Sequence, residues 1–248
     1  MALKFRNIAV IASVAFAIAV PALQMGLGLG LSAKDFAGQG DSTLRAAPYA
    51  FSIWSVIYLG LIAYAVWQAL PRNRGDRALA SIGWPSVIAI AGCGVWIIAS
   101  SANWQWASVG IIFASAGALT WGLIRKAPRR RNLPENLLAW WPLALLAGWL
   151  TIASAINLLT VLTAQGLIAG ESARIAGFGG VITVLLIAVS VLRAPCPAVY
   201  GVPIAWGLVA VWAAEQAPKP QLAVLAMVSA VIVGGYALWR GRQSAAQA

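Results

Sequence analysis

Eight stretches of this chain, each about 20 residues long, carry no charge in their interiors, and that pattern limits the fold more than any other feature. About 20 apolar residues is the length an α-helix needs to cross a hydrocarbon core of roughly 30 Å. A membrane-spanning segment must also satisfy its own backbone, which leaves helices and closed barrels as the options. The alternation of apolar and polar residues that marks a barrel strand is absent. The fold class is therefore all-α: a polytopic integral membrane helical bundle of about eight transmembrane helices. Composition agrees, since 61% of the 248 residues are hydrophobic and only 9% are charged, too little charge to cover a soluble domain of this size.

The spans are expected at roughly 7–31, 48–70, 84–102, 106–124, 137–160, 175–193, 198–214 and 220–239. The uncharged run from Trp84 to Ile124 is too long for one span and fits two if the chain turns near ASSANWQW. Residues 1–20 also read like a signal peptide, with Lys4 and Arg6 ahead of an apolar run and AIA at 17–19. The run continues to Leu31, longer than such a segment usually has, so a retained first span is expected. With eight spans and an inner N-terminus, 13 of the 17 basic residues fall in inner segments. Lys34, Arg45, Arg174 and Lys219 are the four outside. That asymmetry is what the positive-inside rule requires, and it places both termini on the cytoplasmic side of a bacterial inner membrane. The cluster RKAPRRR at 125–131 then reads as a topological lock in contact with anionic lipid headgroups. The net charge of +11 has the same explanation, and nucleic acid is not expected as a partner.

Several chemistries are excluded. The six acidic residues all fall in loops or at span ends, and there is no histidine. Ion-coupled transport usually needs an ionisable group inside the membrane, and hydrolysis needs a base, a metal cluster or facing carboxylates. Cys93 reads as a small packing residue and Cys196, between Pro195 and Pro197, as part of a turn. Glu135, in LPENLL, is placed to support a helix N-terminus. No catalytic residue, metal site or cofactor is expected. Binding, passive passage and scaffolding by neutral groups remain.

The aromatic residues mark where. The stretch YAFSIWSVIYLGLIAYAVW, residues 49–67, holds six aromatic rings and no charge. Tyr49 and Trp67 share one azimuth about 27 Å apart along a helix and suit the two interfacial belts. Phe51, Trp54 and Tyr58 follow i, i+3, i+7 spacing on another face, with Leu61 and Ala65 continuing it. Such a stripe is more often the mark of helix packing than of a ligand site. Asn103 and Trp106 stand three apart in ANWQW; Trp149, Ala153 and Asn157 share one side of the fifth span. An amide is costly in hydrocarbon without a partner, so Asn103 and Asn157 face protein or a cavity, or else serve a turn and a neighbouring helix. Trp54, Asn103, Trp106 and Asn157 all fall toward the outer half, with Trp149 deeper, beneath the sixteen-residue loop 32–47. Indoles and amides grouped at one depth suit a flat, apolar ligand with a few polar edges.

These stretches resemble the tryptophan-rich sensory protein family, the TspO or translocator-protein group. Trp54-Ser55-Val56-Ile57-Tyr58 matches its W-[ST]-x-x-Y, and Asn103-Trp104-Gln105-Trp106 matches N-x-x-W. Trp149 to Asn157 matches W-x-[ST]-x-A-[ST]-x-x-N. The family's W-x-P-P entry is represented only by Pro48 and Tyr49 in RAAPY. The resemblance covers roughly residues 8–160 and implies a five-helix bundle that binds tetrapyrroles such as protoporphyrin, with its pocket beneath the first long loop. It divides the chain into a TspO-like domain at 1–160 and a further three-span region, 161–248, packed on it. Trp54, Tyr58, Asn103, Trp106, Trp149 and Asn157 are the expected ligand-binding residues. The expected partners are membrane lipid and a hydrophobic small molecule such as a porphyrin, with a second copy of the chain as a further candidate. The competing readings are a small-metabolite permease and a structural partner of another membrane complex; light-driven porphyrin breakdown is the one enzymatic reading retained.

Overall fold

The computed structural model describes residues 2–73, 75–127 and 132–246. Arg74 and Arg129, Arg130 and Arg131 of the inner basic segments lie outside the described residues, as does the side chain of Lys4. Among the described residues every regular element is helical, and eight helices are long and apolar enough to cross a membrane. They are α1 (Ala2–Leu27), α3 (Pro48–Ala69), α4 (Arg77–Ser101), α5 (Gln105–Lys126), α6 (Leu133–Ala164), α7 (Gly170–Arg193), α8 (Ala198–Glu215) and α9 (Pro220–Ala246). A short helix, α2 (Ala33–Gly38), lies in the long loop between α1 and α3.

Helix ends differ from expectation where a specific residue overrides hydropathy. The apolar run of α1 goes on to Leu31, but the helix stops at Leu27 because Gly28 and Gly30 take φ of 61° and 63°, a conformation that ends helices. Gly30 is required twice over, since a Cβ there would lie 2.2 Å from the Ser101 carbonyl oxygen. In the other direction, α4 begins at Arg77 rather than 84. The Asp76 carboxylate caps it, accepting from the amides of Ala78 and Leu79 at 2.7 and 3.0 Å. At the start of α6, Asn132 and Glu135 cap each other's backbone amides, at 2.8 and 3.1 Å.

The first five spans close into a ring. Helix α1 packs on α3 and α4, α4 on α5, α5 on α6, and α6 returns to α3. On the outside of this ring α6 also carries α7 and α8, and α9 packs against both. As a result 67% of the most apolar stretch of α6 is buried, and no other span exceeds 50%. Several polar groups inside the bundle pair across helices, as a low-dielectric interior favours. The side-chain amides of Asn7 and Gln68 each donate to the other's backbone carbonyl, at 3.2 and 3.1 Å. The buried Arg6 guanidinium donates to Asn7 Oδ1 at 2.7 Å.

Hydrogen bonds gather the loops into two groups. At one end Gln39 meets Asn103, Gln165 meets Gln105, and Lys219 reaches the carbonyl of Thr43. At the other, Asn7 meets Gln68, and Arg240 meets the carbonyl of Ala194. The two residues expected at the interfacial belts separate. Tyr49 is exposed and edge-on to Trp206 (5.2 Å). Trp67 is not a lipid anchor: it is buried, with the Arg72 guanidinium 5.0 Å above its ring.

Candidate functional site: a roofed aromatic cavity

Inside the five-helix ring, at the end that carries α2, lies a cavity of about 1220 Å³. Its floor and walls follow from side chains that helical periodicity turns inward. From α3 come Phe51, Trp54 and Tyr58, the i, i+3, i+7 stripe of the sequence. Trp54 stacks on Tyr58 (ring centroids 5.1 Å apart, 26°) and meets Trp149 of α6 edge-on at 6.2 Å. Phe51 approaches the same indole edge-on at 6.4 Å. Helix α6 adds Ala153 and Asn157, one and two turns beyond Trp149, so three successive turns of α6 face the space. Cys93 and Trp96 of α4 close the opposite side.

The loop between α1 and α3 is the roof. Ser32 caps α2, accepting from the Asp35 amide at 3.1 Å. This sets Phe36 under the roof, buried and edge-on to Trp96 at 5.9 Å. The chain reaches the roof through Leu31, whose amide donates to the Ser101 carbonyl at 3.0 Å.

Of the six residues expected from sequence, Trp54, Tyr58, Trp149 and Asn157 line this cavity together. Asn103 and Trp106 do not. Asn103 has φ of 54° and forms the turn between α4 and α5, its Oδ1 accepting from Gln39 at 3.2 Å. The turn breaks the helical register, so Trp106 begins a new helix and points outward, 51% exposed. Asn157 lines the wall, but its amide is spent within the protein. Oδ1 accepts from Trp96 Nε1 at 3.2 Å, and Nδ2 donates to Ser108 Oγ at 3.1 Å. Trp96 is the residue that the reading of the sequence missed. Its place inside a long uncharged run gave no local signal of the way it faces.

Asn157→Ala would leave the Trp96 indole N–H without its acceptor, which costs about 1–3 kcal/mol for a buried donor. A lowered unfolding midpoint in detergent and an altered Trp96 emission are expected; an unchanged midpoint would show the pair to be dispensable.

The cavity wall is mainly apolar and aromatic, with a few polar side chains such as Asn157 and Thr160, and among the described lining residues the charged ones are Lys34, Asp35, Asp41 and Arg45 of the roof. No curated protein and no solved structure matches the chain. A protein-family model described as TSPO-like protein does match, over residues 7–239. The match runs past residue 160 and takes in the last three spans as well as the ring, so the kinship is wider than the motifs of α3 to α6 alone. With nearly its whole length inside that match, the chain belongs to the TSPO-like protein family.

Proposed function

We propose that the cavity binds a flat, apolar ligand with a few polar edges, of the tetrapyrrole class, and that the protein senses or moves that ligand. The observation that carries this reading is the aromatic wall: Trp54, Tyr58, Trp96 and Trp149 border one space beneath a roof. Pockets for drug-sized ligands run to about 300–1,000 Å³, so a space of about 1220 Å³ suits a larger ring system. Aromatic faces and edges favour planar π-systems, and the amides and hydroxyls of the wall are largely committed to the protein. The roof is assigned to the non-cytoplasmic side of a bacterial inner membrane, and both termini to the cytoplasm, on the distribution of basic residues.

The test is a titration of the detergent-purified protein with protoporphyrin IX, followed by tryptophan quenching and porphyrin absorbance. Saturable micromolar binding is expected. Trp54→Leu removes a ring that borders the cavity, and one aromatic contact to the ligand is worth about 0.5–1.5 kcal/mol, so a several-fold weakening is expected with the far-ultraviolet circular dichroism unchanged. Asn103→Ala, outside the cavity, should bind as wild type does. No saturation, or indifference to Trp54→Leu, would return the rings to helix packing and bring the permease and structural-partner readings forward.

A further inference from the structure

The last three spans reach the roof of the cavity chiefly through α8, and the contact begins with an ionic cluster. Glu215 ends α8 with its side chain fully buried. Its Oε1 accepts from the backbone amide of Arg45, in the roof, at 2.7 Å and from Lys219 Nζ at 3.1 Å. The Arg45 guanidinium Nε stands 3.8 Å from the same oxygen. Lys219 in turn donates to the roof carbonyls of Asp41 and Thr43, at 3.2 and 3.1 Å. The other carboxylate oxygen, Oε2, is buried with no hydrogen-bond partner. Both hydrogen bonds of this carboxylate therefore run through one oxygen: one ties α8 to the roof at Arg45, and the other holds Lys219, which itself donates to the roof.

The stitching continues along the chain. Arg45 Nη2 donates to the Ala214 carbonyl at 2.8 Å, and the Ala47 amide donates to the Ala210 carbonyl at 2.9 Å. The Trp206 indole reaches the Ala50 carbonyl at 3.1 Å. Residues 41–50 thus lie against α8 by main-chain contacts at every second or third position, with the charged cluster at their head. The α1 side of the roof is held differently, by the Leu31 amide, the Gln24 side chain and the Phe36 ring. Its residues Met25, Lys34 and Asp35 are exposed.

We propose that the last three spans anchor the roof of the cavity, and that Glu215 is the positioning residue that sets how readily residues 41–50 lift from it. An anion surrounded by two cations and a backbone amide in a buried notch is costly to break on one side only, because the groups left behind stay desolvated. The roof is then pinned at its α8 edge, and opening proceeds from the α1 edge. The exchange arm of the test below concerns the roof alone, while the kinetic arm rests on the proposed porphyrin site.

The experiment compares wild type, Glu215→Ala and Lys219→Met in detergent by amide hydrogen exchange and by stopped-flow release of protoporphyrin IX. Glu215→Ala removes a charged acceptor from the Arg45 amide, so exchange across 41–50 is expected to rise about tenfold or more. Exchange across 133–164 should not change, and protoporphyrin IX release should quicken by a similar factor. Lys219→Met should move both in the same direction by less. Unchanged exchange at 41–50 in folded Glu215→Ala, or an equal rise along all eight spans, would overturn the proposal. If Glu215→Ala does not fold, Lys219→Met decides, by whether 41–50 alone loosens. If wild type binds no protoporphyrin IX, the binding reading fails while the exchange data still settle the anchor.

Discussion

Ala153→Phe is expected to eliminate protoporphyrin binding while leaving the bundle folded. Ala153 sits between Trp149 and Asn157 on the face of α6 that borders the cavity, one helical turn from each. A benzyl group there projects into open space rather than into a packed core, so the usual penalty for overfilling, about 1–3 kcal/mol, falls on the ligand instead of on the protein. A loss on the order of a hundredfold in affinity follows if the ligand lies against Trp149. The unfolding midpoint should hold or rise. Ala153→Gly, which widens the same place, should bind, and Trp106→Leu, altered on the lipid-facing side, should be silent. Binding that survives Ala153→Phe would move the ligand out of this cavity altogether.

The second large effect is structural. Gly148→Val, at the one glycine of α6, should destabilise the protein strongly. A Cβ at 148 would lie 2.1 Å from the Tyr200 carbonyl oxygen and 2.7 Å from Pro203 Cγ. Neither is the free end of a flexible chain, so α6 and α8 must separate. Overpacking of this kind costs about 1–3 kcal/mol, with the upper end expected where backbone is struck. Separation would also break the 2.8 Å hydrogen bond between Thr151 and the Tyr200 hydroxyl. Thermal unfolding in detergent measures it. Gly110→Ala is the control: nothing lies within 4 Å of its added methyl, and helix propensity predicts no loss and a gain of up to about 1 kcal/mol. Equal midpoints for Gly148→Val and wild type would mean that α8 does not rest on α6 as described.

The eight spans were legible because hydropathy over 20 residues is a strong signal, and the end of the bundle carrying the cavity was legible because the long loop 32–47 and the aromatic stripe fall at the same end of the spans. The inward stripe Phe51, Trp54 and Tyr58 was legible because its helical spacing carries on from a short 3-10 turn at Pro48–Ser52 into the α-helix. Asn103 and Trp106 show where that logic stops. Their spacing of three is helical only if the chain between them is helical, and the left-handed Asn103 removes that condition. Trp96 was hidden by its surroundings, one indole in an apolar run with nothing local to give its facing. The roof's anchorage could not be read at all. Arg45 and Glu215 are 170 residues apart, and only the fold makes them neighbours.

Helix α6 is a party wall. Trp149 and Asn157 furnish the chamber on one side, while Gly148 and Thr151 bear the neighbouring helices on the other. A chain cut after residue 164 would turn that second side, small and polar where it meets α8, toward acyl tails. Any attempt to reduce the protein to its five-helix ring must therefore first rebuild the far face of α6.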